Sequence, residues 1–252
     1  MSFIRHPRKS KLRAGGRNVS RTIRQLPSIS FMTNEPLPTP TGIVAVADPT
    51  LPMPQPPPHH PDSARLARGI RRCLPLATRL TGVVYRVASV RRANPKDLIA
   101  GIGSQLTGGR WTPPGAFRAV YASRDEATAL NEARQQNLRQ GVPTWMSLPL
   151  VLTAIEVDLE PVLDLTDGRL RRALRISRDR MLGEPWWILQ EQGLEALTQA
   201  LGRLARDHGF AALLTPSAAG SRGSNVVIYP DRIATGGRLS VVNADRLPSA
   251  PD

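Results

Sequence analysis

The segment AVYASRDEATALNEA, residues 119–133, changes its hydrophobic period partway along. Ala119 to Ala122 read as a short buried strand. From Ser123 the pattern turns helical, with Ser123 and Glu126 spaced as a capping pair and Gly141 as the stop. Tyr121 then lies at the end of a strand and Glu132 in mid-helix, between Ala129 and Ala133.

The flanking chain repeats this mixture. Upstream, GGRWTPPG (108–115) is a turn whose backbone Pro113 and Pro114 restrict, and GVVYRVA (82–88) reads as a strand with Tyr85 and Arg86 on opposite faces. A short basic helix is expected over 63–73. Downstream, LVLTAIEVDL (150–159) alternates, with Val151, Thr153, Ile155, Val157 and Leu159 on one face. A second short strand follows at 162–165, then a basic helix after Asp167. Leu194, Leu197, Leu201 and Leu204 have helical spacing within 191–208, which Gly209 ends. FAALLTPS (210–217) and NVVIYP (225–230) are further strands. Short strands broken irregularly by helices predict an α+β domain without repeats.

Composition sets the boundaries. Twelve of the 24 prolines fall at or before Pro61, and the first 34 residues carry eight Arg or Lys and no acid. Residues 1–62 are therefore expected to be a disordered basic and proline-rich arm, 63–240 the folded domain and 241–252 a C-terminal tail. His59 and His60, at the end of that arm, read as solvated side chains. The net charge of +14 gives general affinity for phosphates, but aromatic residues are only 4% and no nucleic-acid module matches. A basic nucleic-acid-binding protein is thus the weaker reading. No apolar run is long enough for a membrane span, and the single cysteine, Cys73, excludes an internal disulfide and a cysteine zinc site. A reducing cytoplasm fits, with a secreted effector as the alternative.

Several polar residues stand where packing alone does not require them: Arg86 in an apolar strand, Tyr121 at a strand end, Glu132 in a helix, and Ser217 and Asn225 around a Gly/Ser-rich loop. Singly, such residues are ordinarily ion-pair or surface groups. Together the pieces VYR (84–86), GGRWTPPG (108–115), AVY (119–121), EATALNEA (126–133) and TPSAAGSRGSNVVIYP (215–230) resemble the RES domain family. The resemblance spans about 145 residues, with Arg110, Tyr121 and Glu132 spaced by eleven residues each.

That resemblance implies an ADP-ribosyltransferase-like mixed sheet flanked by helices. It implies cleavage of the nicotinamide–ribose bond of NAD, which is a substrate and not a resident cofactor, with ADP-ribose passing to phosphate, water or a protein acceptor. It also implies a bacterial toxin restrained by a separate antitoxin or immunity chain. Glu132 is expected to carry the chemistry with Tyr121 and Arg86, because an oxocarbenium-like state needs a nearby carboxylate. Arg86 and Arg110 are expected on the pyrophosphate, Tyr121 on the nicotinamide, and Ser217 on a phosphate or the amide, with Ser221 and Ser224 as rivals. Asn225 is expected to contact the ligand or tie down the loop. No metal site is expected.

Overall fold

The computed structural model describes residues 52–139, 149–219 and 223–248. Its longest pairing joins β1 (Thr78–Ser89) to β3 (Leu150–Asp164), antiparallel from Ser89↔Leu150 to Thr78↔Val162. The alternation expected along 150–159 holds, with Thr153, Ile155, Val157 and Leu159 buried. The two strands expected at 150–159 and 162–165 are one, and its two halves have different neighbours. Ile155–Asp158 pair with β6 (Arg238–Val241), whereas Val162–Asp164 run parallel to β4 (Ala212–Pro216).

From β4 the sheet continues antiparallel through β5 (Ser224–Ile228) to β2 (Val120–Ser123), which returns to β1 through a single register pair, Tyr85↔Ser123. β1 and β3 therefore close the strand order on itself. A parallel pair requires a long crossover. Here it contains α5 (Gly168–Leu174), α6 (Arg178–Gly183), α7 (Trp186–Glu191) and α8 (Leu197–Asp207). Between β1 and β2 lie α2 (Pro95–Ala100) and α3 (Ile102–Thr107), and α4 (Glu126–Arg139) follows β2.

Side chains alternate between two cores. Val84, Val120, Ala122, Ile155, Val226 and Ile228 belong to one. The opposite faces of the same strands, through Leu163, Leu213, Val227 and Tyr229, pack with α1 (Ser63–Cys73), α5 and α8. The apolar stripe of α1 supplies Leu66, Ile70 and Cys73 to this second core. Gly202 on α8 permits the 108–115 loop to lie against the helix, since a Cβ there would stand 1.8 Å from the Trp111 carbonyl oxygen. Among the described residues, no helix is long and apolar enough to cross a membrane.

Five local expectations differ from the structure. The helix expected over 191–208 begins only at Leu197, as α8, because α7 ends at Glu191 and Gly193 adopts φ 71° in the turn between them; Leu194 is exposed while Leu197, Leu201 and Leu204 are buried. Asp125, not Ser123, caps α4, its Oδ1 accepting the Thr128 N–H at 2.8 Å. Ser123 remains in β2; the expected stop at Gly141 lies outside the described residues. Residues 52–62, expected as the end of the arm, lie along the domain: a Cβ on Gly115 would meet the Pro54 carbonyl oxygen, and the His60 N–H donates to Glu195 Oε2 at 2.6 Å. His60 is not simply solvated either, since its Nδ1 accepts the Asp62 N–H at 3.0 Å. At the other end, Val242 N–H donates to the Ala154 carbonyl at 2.9 Å, so the stretch expected as a tail begins against β3.

Candidate functional site

The 108–115 loop is built around Tyr121. Gly109 and Thr112 exchange backbone hydrogen bonds, which closes a tight turn over the Tyr121 ring. The tyrosine hydroxyl accepts the Trp111 N–H at 3.0 Å and shares a hydrogen bond with Thr112 Oγ1 at 2.9 Å. Trp111 packs beneath the loop in the helical core. Burial pushes the Tyr121 phenol up to about 12, against the opposing effect of its hydrogen bonds and of Arg110. Tyr121 is therefore a ring and a tether, and a poor acid or base near neutrality.

Arg110 also serves this junction. Its Nη1 donates to the Met181 carbonyl at 2.8 Å and to the Leu182 carbonyl at 3.2 Å, joining the loop to α6. The expected pyrophosphate role thus competes with a structural one.

Glu132 lies on the side of β2 and β5 that carries Ser123 and Asn225, a register pair. Ser217 Oγ donates to Glu132 Oε1 at 2.6 Å, and Asn225 Nδ2 donates to the same oxygen at 2.6 Å. Each donor is itself oriented. Ser217 Oγ accepts the Ala219 N–H at 3.0 Å, and Asn225 Oδ1 accepts from Ser123 Oγ at 2.8 Å. Both donors converge on Oε1, so among the described residues Oε2 has no protein donor. Short bonds to an ionised acceptor are the strong kind, and they aim one free oxygen. Of the rival serines, Ser224 precedes Asn225 and so alternates to the other face of β5, while Ser221 lies outside the described residues.

Arg86 sits opposite Thr153 in the β1–β3 register, and alternation places both on the Val84 side. Its Nη1 donates to the Tyr121 carbonyl at 3.3 Å, where β1 and β2 share only one register pair. Among the described residues its Nε is buried without a partner, as is Thr153 Oγ1. Burial, with Arg92 nearby, lowers the guanidinium to about 10, which still leaves it charged at neutral pH. A desolvated cation with no carboxylate beside it is costly unless an anion joins it. Two orphaned donors facing each other across a strand pair suit a phosphate oxygen.

The structure thus brings Glu132, Ser217 and Asn225 together, links Arg86 to Tyr121 through the backbone, and turns Arg110 toward α6. Sequence reasoning missed Ser123 and Thr153 as parts of the site. For Thr153 the signal was present: a hydroxyl on the inward face of an alternating strand. For Ser123 there was none, since its partner is 102 residues away.

The chain belongs to the RES domain family, whose model matches residues 83–249. It is similar to the NAD(+) phosphorylase MbcT of Mycobacterium tuberculosis and of Mycobacterium bovis. Each is 29% identical over 154 residues, which cover 60% of this chain and 75% of the relative. Among solved structures it resembles the crystal structure of the M. tuberculosis MbcT–MbcA toxin–antitoxin complex. There the TM-score is 0.53 at 24% identity, over 71% of this chain and 91% of that one, a likeness of fold.

Proposed function

We propose that this protein cleaves the nicotinamide–ribose bond of NAD and transfers ADP-ribose to inorganic phosphate, acting as a toxin that depletes NAD in the cytoplasm and is restrained by a separate antitoxin chain. The observation that carries this reading is the Glu132 carboxylate, held at Oε1 by Ser217 and Asn225 with Oε2 left for a ligand. The relatives named NAD(+) phosphorylase support the reaction type, and the neighbour solved as a toxin–antitoxin complex supports the partner.

The chemistry suits these residues. When the C–N bond breaks, its electron pair goes to the pyridinium nitrogen, so nicotinamide departs as a neutral molecule and needs no proton. A general acid is unnecessary, which agrees with a Tyr121 phenol that does not titrate near neutrality. Positive charge then develops on the ribose, and a fixed carboxylate opposite it lowers the barrier. Oε2 of Glu132 would accept a hydrogen bond from a ribose hydroxyl that the developing cation acidifies. Phosphate is already anionic at neutral pH, so its oxygen can form the new C–O bond without a strong base. Arg86 and Thr153 Oγ1 lie on the opposite face of the sheet from Glu132, and would take a phosphate oxygen of the substrate at the edge where β1 and β2 share one register pair.

The test is to incubate the protein with NAD, with and without phosphate, and identify the products. Nicotinamide plus ADP-ribose 1″-phosphate, formed only with phosphate, is expected. Free ADP-ribose in both conditions would make the protein a hydrolase, and label on a polypeptide a transferase. Expression without an antitoxin should lower cellular NAD and halt growth; unchanged NAD with soluble protein accumulating would count against a toxin.

A further inference from the structure

We propose a second, noncatalytic site: an arginine-lined concavity between α1 and α5 that binds the phosphodiester backbone of a nucleic acid without reading its sequence. The hollow, of about 170 Å³, is lined by Arg65, Arg68, Gly69, Arg72, Leu174 and Arg175, among others. Arg65, Arg68 and Arg72 fall at i, i+3 and i+7 on α1, one stripe of the helix surface. At 1.5 Å per residue the stripe runs about 10 Å. Arg175 follows the last residue of α5.

Close packing of the two helices brings these charges together. Gly69 lacks the Cβ that would stand 2.9 Å from Leu174 Cδ2, so α1 approaches α5 at the level of the hollow. Arg65 is tied into the wall, its Nη1 donating to the Leu174 carbonyl at 2.8 Å and its Nη2 bonded to Asp62 at 2.8 Å. Asp62 is also shared with Arg180. Arg68, Arg72 and Arg175 are exposed, and among the described residues none of the three forms an ion pair.

Three like charges around one hollow repel each other until an anion fills it. Guanidinium forks match phosphate oxygens two at a time, better than ammonium groups do. Cations at one-turn spacing suit a polyanion with regularly spaced charges, and no aromatic side chain lines the hollow to stack on a base. The eight unopposed cations in the first 34 residues give the same chain a second element with the same preference. α1, which supplies Arg65, Arg68 and Arg72, lies outside residues 83–249, the part matched by the family, whereas Arg175 lies within it.

The full-length protein is titrated with a fluorescent 20-nucleotide single-stranded RNA across a salt series. It is compared with Arg68→Gln/Arg72→Gln/Arg175→Gln and with a control that removes three scattered exposed cations, Lys96→Gln/Arg118→Gln/Arg246→Gln. Each neutralised phosphate on a single strand contributes about 0.7 to the slope of log K against log salt, so three contribute about 2. Between 50 and 200 mM salt the control should therefore lose about 20-fold more affinity than the α1–α5 variant, which should also bind more weakly at 50 mM. Unchanged thermal midpoints and NAD turnover would confirm that both variants are folded. Equal slopes in the two variants would overturn the proposal and assign the binding to diffuse charge or to the arm. Dependence on the three arginines for fluorescent poly-glutamate but not for RNA would also overturn it, marking an acidic polypeptide as the ligand.

Discussion

Glu132→Gln isolates the charge of the proposed catalytic carboxylate from its shape. The side chains are isosteric, and the surrounding hydrogen bonds dictate how the amide must lie. Ser217 Oγ and Asn225 Nδ2 both donate to Oε1, so the amide oxygen stays there and its NH2 takes the place of Oε2. The oxygen available to a ribose hydroxyl becomes a donor with no charge. Two charge-assisted bonds become neutral ones, at about 1 kcal/mol each, partly offset because the site no longer desolvates an anion. The fold should survive. Removing a preorganised electrostatic group costs roughly 10²–10³ in rate, about 2.7–4 kcal/mol of barrier. NAD consumption at saturating phosphate should show this loss in kcat, with KM changed far less and the far-ultraviolet circular dichroism unaltered. A folded variant within about threefold of wild type would refute the assignment of Glu132.

Asn225→Asp would replace a donor with a second carboxylate about 2.6 Å from Glu132 Oε1, and the repulsion should displace the Glu132 side chain and lower kcat at least about tenfold. Turnover near wild type would show that Asn225 does not hold the catalytic carboxylate. Arg86→Ala should raise KM for NAD at least about tenfold while leaving the thermal midpoint unchanged or higher, since it removes a buried cation that has no carboxylate partner among the described residues; an unchanged kcat/KM would place the phosphates elsewhere. Tyr121→Phe leaves the Trp111 N–H without its acceptor and should cost about 1–3 kcal/mol of stability while the folded enzyme keeps most of its turnover. A large loss of rate at unchanged stability would instead make the hydroxyl chemical. In the wild type the folded-state phenol lies above its unfolded value, so its contribution to stability is complete below about pH 10 and fades as pH rises toward about 12, which an alkaline titration of tyrosinate absorbance against unfolding can follow. Removing residues 1–51 should leave the thermal midpoint near that of the full chain, whereas removing 1–61 also deletes the His60 bond to Glu195 and the Pro54 contact at Gly115, and should lower it. Equal midpoints for the two truncations would show that this segment adds no stability.

The sequence by itself determined the elements whose signal is local. The alternation from Val151 to Leu159, the strand-to-helix change at 119–133 and the short basic helix over 63–73 are local readings, and the structure keeps all three. The residue types of the site were legible in the same way: Glu132 in a helix, Ser217 and Asn225 around a loop, Arg86 in an apolar strand. Their partners were not. Glu132 meets Ser217 across 85 residues and Asn225 across 93, and Arg110 reaches Met181 across 71. Arg110 and Tyr121 are expected on the ligand from their residue types, and what the sequence does not show is that the loop folds back so that Tyr121 binds its backbone and Arg110 reaches helix carbonyls. Likewise the joining of β3 into one strand, with β6 and β4 as successive neighbours, depends on chain brought back from 50 or more residues away. A side chain's hydrogen-bond partner is set by which surfaces pack together, and that is decided by burial of the two cores, long-range in sequence, after the local periods have made each element.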